Sequence, residues 1–116
     1  MKAVDIYINV FTITYILKDH QVRIIWDQNK NRSNQAKHKV SFELAGFVFD
    51  DPLHVSCLER VIDGEERWQT IGMVGGVLIL LVAHMWEDSG SETIIRIISA
   101  RKADAHERKQ YEKGTH

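Results

Sequence analysis

At Pro52, the one proline of the chain, the spacing of apolar residues changes from helical to alternating. Before it, Phe42, Ala45, Val48 and Phe49 recur at the three- and four-residue steps of a helix face. After it, the segments 53–62, 67–73, 77–86 and 93–99 read as strands. Asp63-Gly64, Gly75-Gly76 and a stretch around Gly90 punctuate them. Loops this short join strands that run antiparallel, so the second half of the chain is expected to be a meander.

Upstream, Asp27 can accept from the free amides of a first helical turn, which starts a helix near Gln28 and carries it to about His38. Lys30, Asn34 and His38 then share one ridge at four-residue steps. Ser41 caps a second helix, and Asp50-Asp51-Pro52 ends it, because proline disfavours helix in the residue before it. A closing helix is expected over about 102–113. The expected fold class is α+β: two N-terminal helices, an antiparallel β-sheet meander and a C-terminal helix. Residues 1–21 are rich in β-branched and aromatic side chains and read as an added strand or a loosely attached extension, ahead of one domain over 22–116. Asp5 and Asn9 interrupt that stretch and no small-residue cleavage site follows, which argues against a signal peptide.

Hydrophobic residues make up 44% of 116 residues, enough for one modest core. The longest apolar run, 77–83, falls far short of the roughly 20 residues a bilayer needs, so no membrane partner is expected. Six histidines show no paired ligand spacing, and Cys57 is alone. Neither a metal nor another cofactor is expected, and a reducing cytoplasm is the simplest setting. The net charge of -1 conceals a strong division along the chain. Lys30, Arg32, Lys37 and Lys39 give residues 28–40 a charge of +4, seven acids against Arg60 give 41–66 a charge of -6, and 96–113 carries +3. A chain so divided can offer a basic surface to a polyanion.

Several spaced motifs occur in one order: Trp26-Asp27, Lys30, Asn34, Lys37-His38, Val40-Ser41-Phe42, Asp51-Pro52, Glu66-Arg67, Gly72, Arg96 to Arg101, Glu107-Arg108 and Tyr111. Over about residues 24–112 the chain resembles the BrnT-type toxins of bacterial type II toxin–antitoxin systems. The resemblance implies a RelE-like fold, metal-independent RNA cleavage that inhibits translation, and a cognate antitoxin with a ribbon-helix-helix-type domain, through which alone operator DNA is bound. Lys39 departs from the pattern, which has glycine after Lys-His. A lysine in the left-handed conformation costs about 1 kcal/mol, or else the helix junction shifts.

Metal-free RNA cleavage requires a base for the 2′-hydroxyl, a cation for the charged phosphorane and an acid for the leaving oxygen. Arg67, His84 and Arg96 lie near the ends of three successive strands and are the expected catalytic set, with His84 as base or acid. The bland readings are a buried His84, Arg67 paired with Glu65 or Glu66, and Arg96 paired with Glu92 or Glu87. Lys37, His38, Arg101 and Arg108 are the expected RNA contacts, though Lys37 and His38 also suit a helix C-terminus. A non-catalytic RelE-like module acting in a DNA-binding complex stands as the alternative function.

Overall fold

The computed structural model describes residues 10–17 and 19–116. The first two elements are strands, β1 (Val10–Leu17) and β2 (His20–Asp27). Two helices follow, α1 (Gln28–His38) and the single turn α2 (Phe42–Ala45), which tightens into a 3-10 turn over Gly46–Asp50. Then come β3 (Val55–Ile62), β4 (Glu65–Val74), β5 (Leu78–Asp88) and β6 (Glu92–Lys102), and the helix α3 (Ala105–Lys113). The six strands form one sheet in the order β1-β2-β6-β5-β4-β3.

This corrects the expected fold class. The α+β arrangement with two N-terminal helices and an antiparallel β-sheet meander does not hold, because a hairpin of strands precedes the helices and the sheet is mixed. β2 pairs with β6 in parallel, Gln21 to Ile25 against Glu92 to Arg96. The physical reason lies in β2 itself. Val22, Ile24 and Trp26 are buried on the helix-covered face, but Ile25 between them is buried as well, which blurs the alternation in the second half of the strand; burial on both faces is what a parallel neighbour brings. Of the extension expected over 1–21, residues 1–9 and 18 lie outside the described residues, while Val10 to Leu17 pair with β2 along its whole length.

The expected caps explain where the helices begin. Asp27 accepts from the amide of Asn29 at 2.8 Å, and Ser41 from that of Leu44 at 3.1 Å. Lys39 ends α1 in the left-handed conformation itself, φ 61° and ψ 26°, with its amide bonded to the Gln35 carbonyl. The junction has not moved, and lysine carries the strain.

The sheet separates two apolar layers. Phe42, Ala45 and Val48 cover one face over Ile24, Trp26, Leu80, Val82, Ile95 and Ile97. On the other face Tyr111 of α3 and Ala103 pack on Ile71 and Leu81. Gly72 permits the first layer, since a Cβ there would meet a Val48 methyl at 2.6 Å and the Val48 carbonyl oxygen at 3.0 Å. Asp51 ties the layers together. Its carboxylate accepts from the amides of Leu53 (2.9 Å) and Met73 (2.8 Å) and from the Tyr111 hydroxyl (2.6 Å).

Where β2 ends, α1 takes its place beside β6. The Asn34 carboxamide is buried there, donating to the carbonyls of Val40 (2.9 Å) and Ala100 (2.8 Å) and accepting from the Ala100 amide (3.1 Å). One side chain thus stands in for the missing strand and fixes α1 to β6. Among the described residues no helix is long and apolar enough to cross a membrane.

Candidate functional site

The α3 face of the sheet is covered only in part. Beyond Ile71 and Leu81 it opens into a concavity of about 210 Å3 lined by Glu59 and Arg60 of β3, Arg67 and Gln69 of β4, Leu81 and Ala83 of β5, and Ile98, Ser99 and Arg101 of β6. Two β-bulges build it. In β3 the register passes from Leu58–Trp68 to Arg60–Arg67, leaving Glu59 extra. Without that bulge Glu59 would face Arg67; with it, Arg60 does. In β6 the register passes from Ile97–His84 to Ser99–Ala83, leaving Ile98 extra. That step turns Ser99 and Arg101 to the open face, where an unbroken strand would aim Arg101 at the core beside Leu80.

Three guanidinium groups therefore meet at one hollow. Arg60 and Arg67 stand directly opposite each other, an arrangement that costs stability between like charges on neighbouring strands. The Arg60 Nε lies 3.7 Å from Glu59, a loose contact. The Arg67 Nε is buried and meets no hydrogen-bond partner among the described residues; the pairing with Glu65 or Glu66 is not found there. Arg101 forms a two-pronged bond to Glu107 at 2.7 and 2.9 Å. That bond raises the Arg101 pKa and, from the other side, lowers that of Glu107.

Arg96 lies on the same face as Arg67 but outside the hollow. It pairs with Met85 of β5, and Arg67 sits one step past the Trp68–His84 rung on the other side of that residue. Two strand spacings separate their backbones by about 10 Å. Glu92, one expected partner of Arg96, pairs instead with Arg23 at 2.7 Å.

His84 faces the other way. It is 1% exposed, and its ring meets Phe49 edge-on with centroids 4.9 Å apart. Its Nδ1 lies 3.2 Å from the Met85 carbonyl, which can only accept, so Nδ1 carries the proton and Nε2 accepts from the Thr70 hydroxyl at 2.7 Å. Burial lowers its pKa to about 4, against a smaller opposing effect of the Met85 bond. Of the expected catalytic set, Arg67 and Arg96 share a face and His84 is on the opposite one.

Lys37 and His38 border a second, shallower groove of about 350 Å3 between α1 and β6, together with Asn29, Lys30, Ser33, Asn34, Ile98 and Ser99. Arg108 lines neither hollow; it donates to the Ala103 carbonyl at 2.9 Å and braces the start of α3. Glu59, Arg60, Gln69 and Ser99 were missing from the sequence reading of the site. Among the described residues no three His, Cys, Asp or Glu side chains are grouped to hold a metal ion.

Residues 26–107 match the family model described as the ribonuclease toxin, BrnT, of type II toxin–antitoxin systems. Among solved structures, that of the Brucella abortus ribonuclease toxin BrnT is 29% identical, covering 70% of this chain and 95% of that one with a TM-score of 0.48. No curated protein matches the chain.

Proposed function

The chain belongs to the BrnT family of ribonuclease toxins of type II toxin–antitoxin systems, and from that premise we propose that it is an endoribonuclease that cuts RNA at the arginine hollow without a metal ion. Cleavage stops translation in the cytoplasm until a cognate antitoxin, with a ribbon-helix-helix-type domain that also holds operator DNA, covers the site. The observation that carries this reading is Arg60 set against Arg67 beside Arg101, with the Arg67 Nε buried and without a hydrogen-bond partner among the described residues. Such a cluster is unfavourable when empty and becomes favourable around a phosphate, whose oxygens the planar forks fit in pairs.

Arg67 and Arg60 are the groups that meet the charge developing on the phosphorane. Arg96 holds the incoming strand on the same face. Among the described residues Glu59 is the one carboxylate lining the hollow, and it is assigned as acceptor of the 2′-hydroxyl proton. His84, neutral and enclosed, is assigned to packing rather than proton transfer. Lys37, His38 and Arg101 remain RNA contacts, whereas Arg108 acts through the position of α3. One observation favours the alternative of a non-catalytic binding module: among the described residues no histidine lines the arginine hollow to protonate the leaving oxygen.

The test is cleavage of a mixed-sequence RNA by the purified chain and by Arg67→Ala. Losing one preorganised cationic donor costs about 3–4 kcal/mol of transition-state stabilisation, roughly a hundredfold to a thousandfold in rate. Arg67→Ala that melts like the parent yet cleaves and intoxicates at the parent's rate would refute the assignment. A parent that binds RNA without cutting it would favour the binding module.

A further inference from the structure

The groove on α1 and the arginine hollow are not separate features. Ile98 and Ser99 line both, so the two concavities meet across the bulge in β6. The groove also carries Lys30 and Lys37, exposed and without an ion pair among the described residues, together with Asn29, Ser33 and His38. The joint is rigid, because Asn34 holds α1 to the backbone of Ala100, the residue after Ser99.

We propose that the α1 groove is a second phosphate subsite, which takes the backbone phosphate next to the scissile one as a single RNA strand crosses β6 at Ile98 and Ser99. The idea rests on the ribonuclease reading and adds a requirement to it: the substrate must extend past the cleaved dinucleotide on one side. Lys30 and Lys37 supply point charges to that phosphate, Ser99 supplies a hydroxyl at the crossing, and Ile98 gives an apolar surface for a base or ribose. Cations that follow the backbone beside such surfaces are the usual means of holding single strands.

The experiment measures binding of uncleavable 2′-O-methyl RNA oligonucleotides of two and six nucleotides with randomised bases, at several salt concentrations. Three proteins are compared: the parent, the double variant Lys30→Ala/Lys37→Ala, and Arg32→Ala. Arg32 lies on the same helix, bonded to Asn29 and outside the groove, and removes charge without removing the subsite. In the parent the hexanucleotide is expected to bind more tightly than the dinucleotide. In the double variant that ratio collapses toward one, and the hexanucleotide's logarithmic salt slope falls by about 0.7, the share of one phosphate contact. Arg32→Ala keeps the parent's ratio.

An unchanged ratio and slope in the double variant would overturn the subsite. So would an equal loss in Arg32→Ala, since the effect would then be net charge alone. If the double variant weakens only the antitoxin complex, the groove is a protein-docking surface and the proposal fails. In each of these cases a defect of Arg67→Ala in cleavage leaves the ribonuclease reading standing; a parent that neither binds nor cuts RNA of any length removes both.

Discussion

Replacing Asn34 by aspartate tests whether one side chain holds α1 to the sheet. The carboxamide donates two hydrogen bonds, to the carbonyls of Val40 and Ala100, and accepts one from the Ala100 amide. A carboxylate of the same shape keeps the acceptor and turns both donors into acceptors facing carbonyl oxygens. Two buried carbonyls left unsatisfied cost about 1–3 kcal/mol each. The acid can escape only by taking a proton, which restores one donor at about 1.4 kcal/mol for every unit its pKa must rise. At pH 7.5 the variant should therefore lose about 3–5 kcal/mol, a large part of the roughly 5–15 kcal/mol of a typical domain. The sign with pH follows from the raised folded-state pKa: the penalty is greatest above it and shrinks as pH falls toward the ordinary aspartate range. Urea unfolding at pH 7.5 and 5.5, followed by circular dichroism, measures both effects. A variant within about 0.5 kcal/mol of the parent at pH 7.5, or a penalty relative to the parent that does not shrink at pH 5.5, would refute the reasoning.

Gly72→Ala should cost about 1–3 kcal/mol by overpacking, since its Cβ meets Val48 at 2.6 Å; an unchanged urea midpoint would show that the 3-10 turn moves freely. Acid should weaken the fold in two steps. His84 must stay neutral, so its contribution is complete above its ordinary pKa of 6.5 and is lost as pH falls from there to about 4, a change of about 3 kcal/mol. Burial raises the Asp51 pKa, but the Tyr111, Met73 and Leu53 bonds outweigh it, so its lowered carboxyl adds a further loss below the ordinary aspartate range. His84→Gln should flatten the first step without slowing cleavage by folded protein; a rate loss like that of Arg67→Ala would return His84 to the chemistry. RNA cleavage should survive EDTA, and activity that vanishes and is restored by magnesium would overturn the metal-free reading.

Local chemistry was legible where a single residue decides it. Asp27 and Ser41 start their helices as their side chains require, and Asp63-Gly64 turns the chain with both residues at positive φ, 51° and 80°. β2 was not legible, because buried Ile25 interrupts the short alternation of Val22, Ile24 and Trp26 and its partner β6 lies some seventy residues along the chain. The position of His84 failed on one residue of register. A two-residue turn at Gly75-Gly76 would pair Val74 with Val77 and set Arg67 opposite His84. The chain instead pairs Val74 with Leu78, leaves Val77 86% exposed in the loop, and sets Trp68 opposite His84. A shift of one residue sends the imidazole to the other face.

The arginine hollow was hidden for a related reason. Parity along β3 puts Arg60 on the face away from Arg67, and parity along β6 puts Arg101 in the core. Only the bulges at Glu59 and Ile98 reverse both, and nothing in the alternation of apolar residues marks either. Had β3 run unbroken, Glu59 would oppose Arg67 and neutralise it, giving an ordinary cross-strand ion pair of modest worth. The bulge replaces that carboxylate by a second guanidinium and leaves the acid without a place in the β3–β4 register, still lining the hollow. A sheet selected for stability alone would keep the pair; under the proposed ribonuclease reading, a bound phosphate offsets the repulsion of the two opposed guanidinium groups.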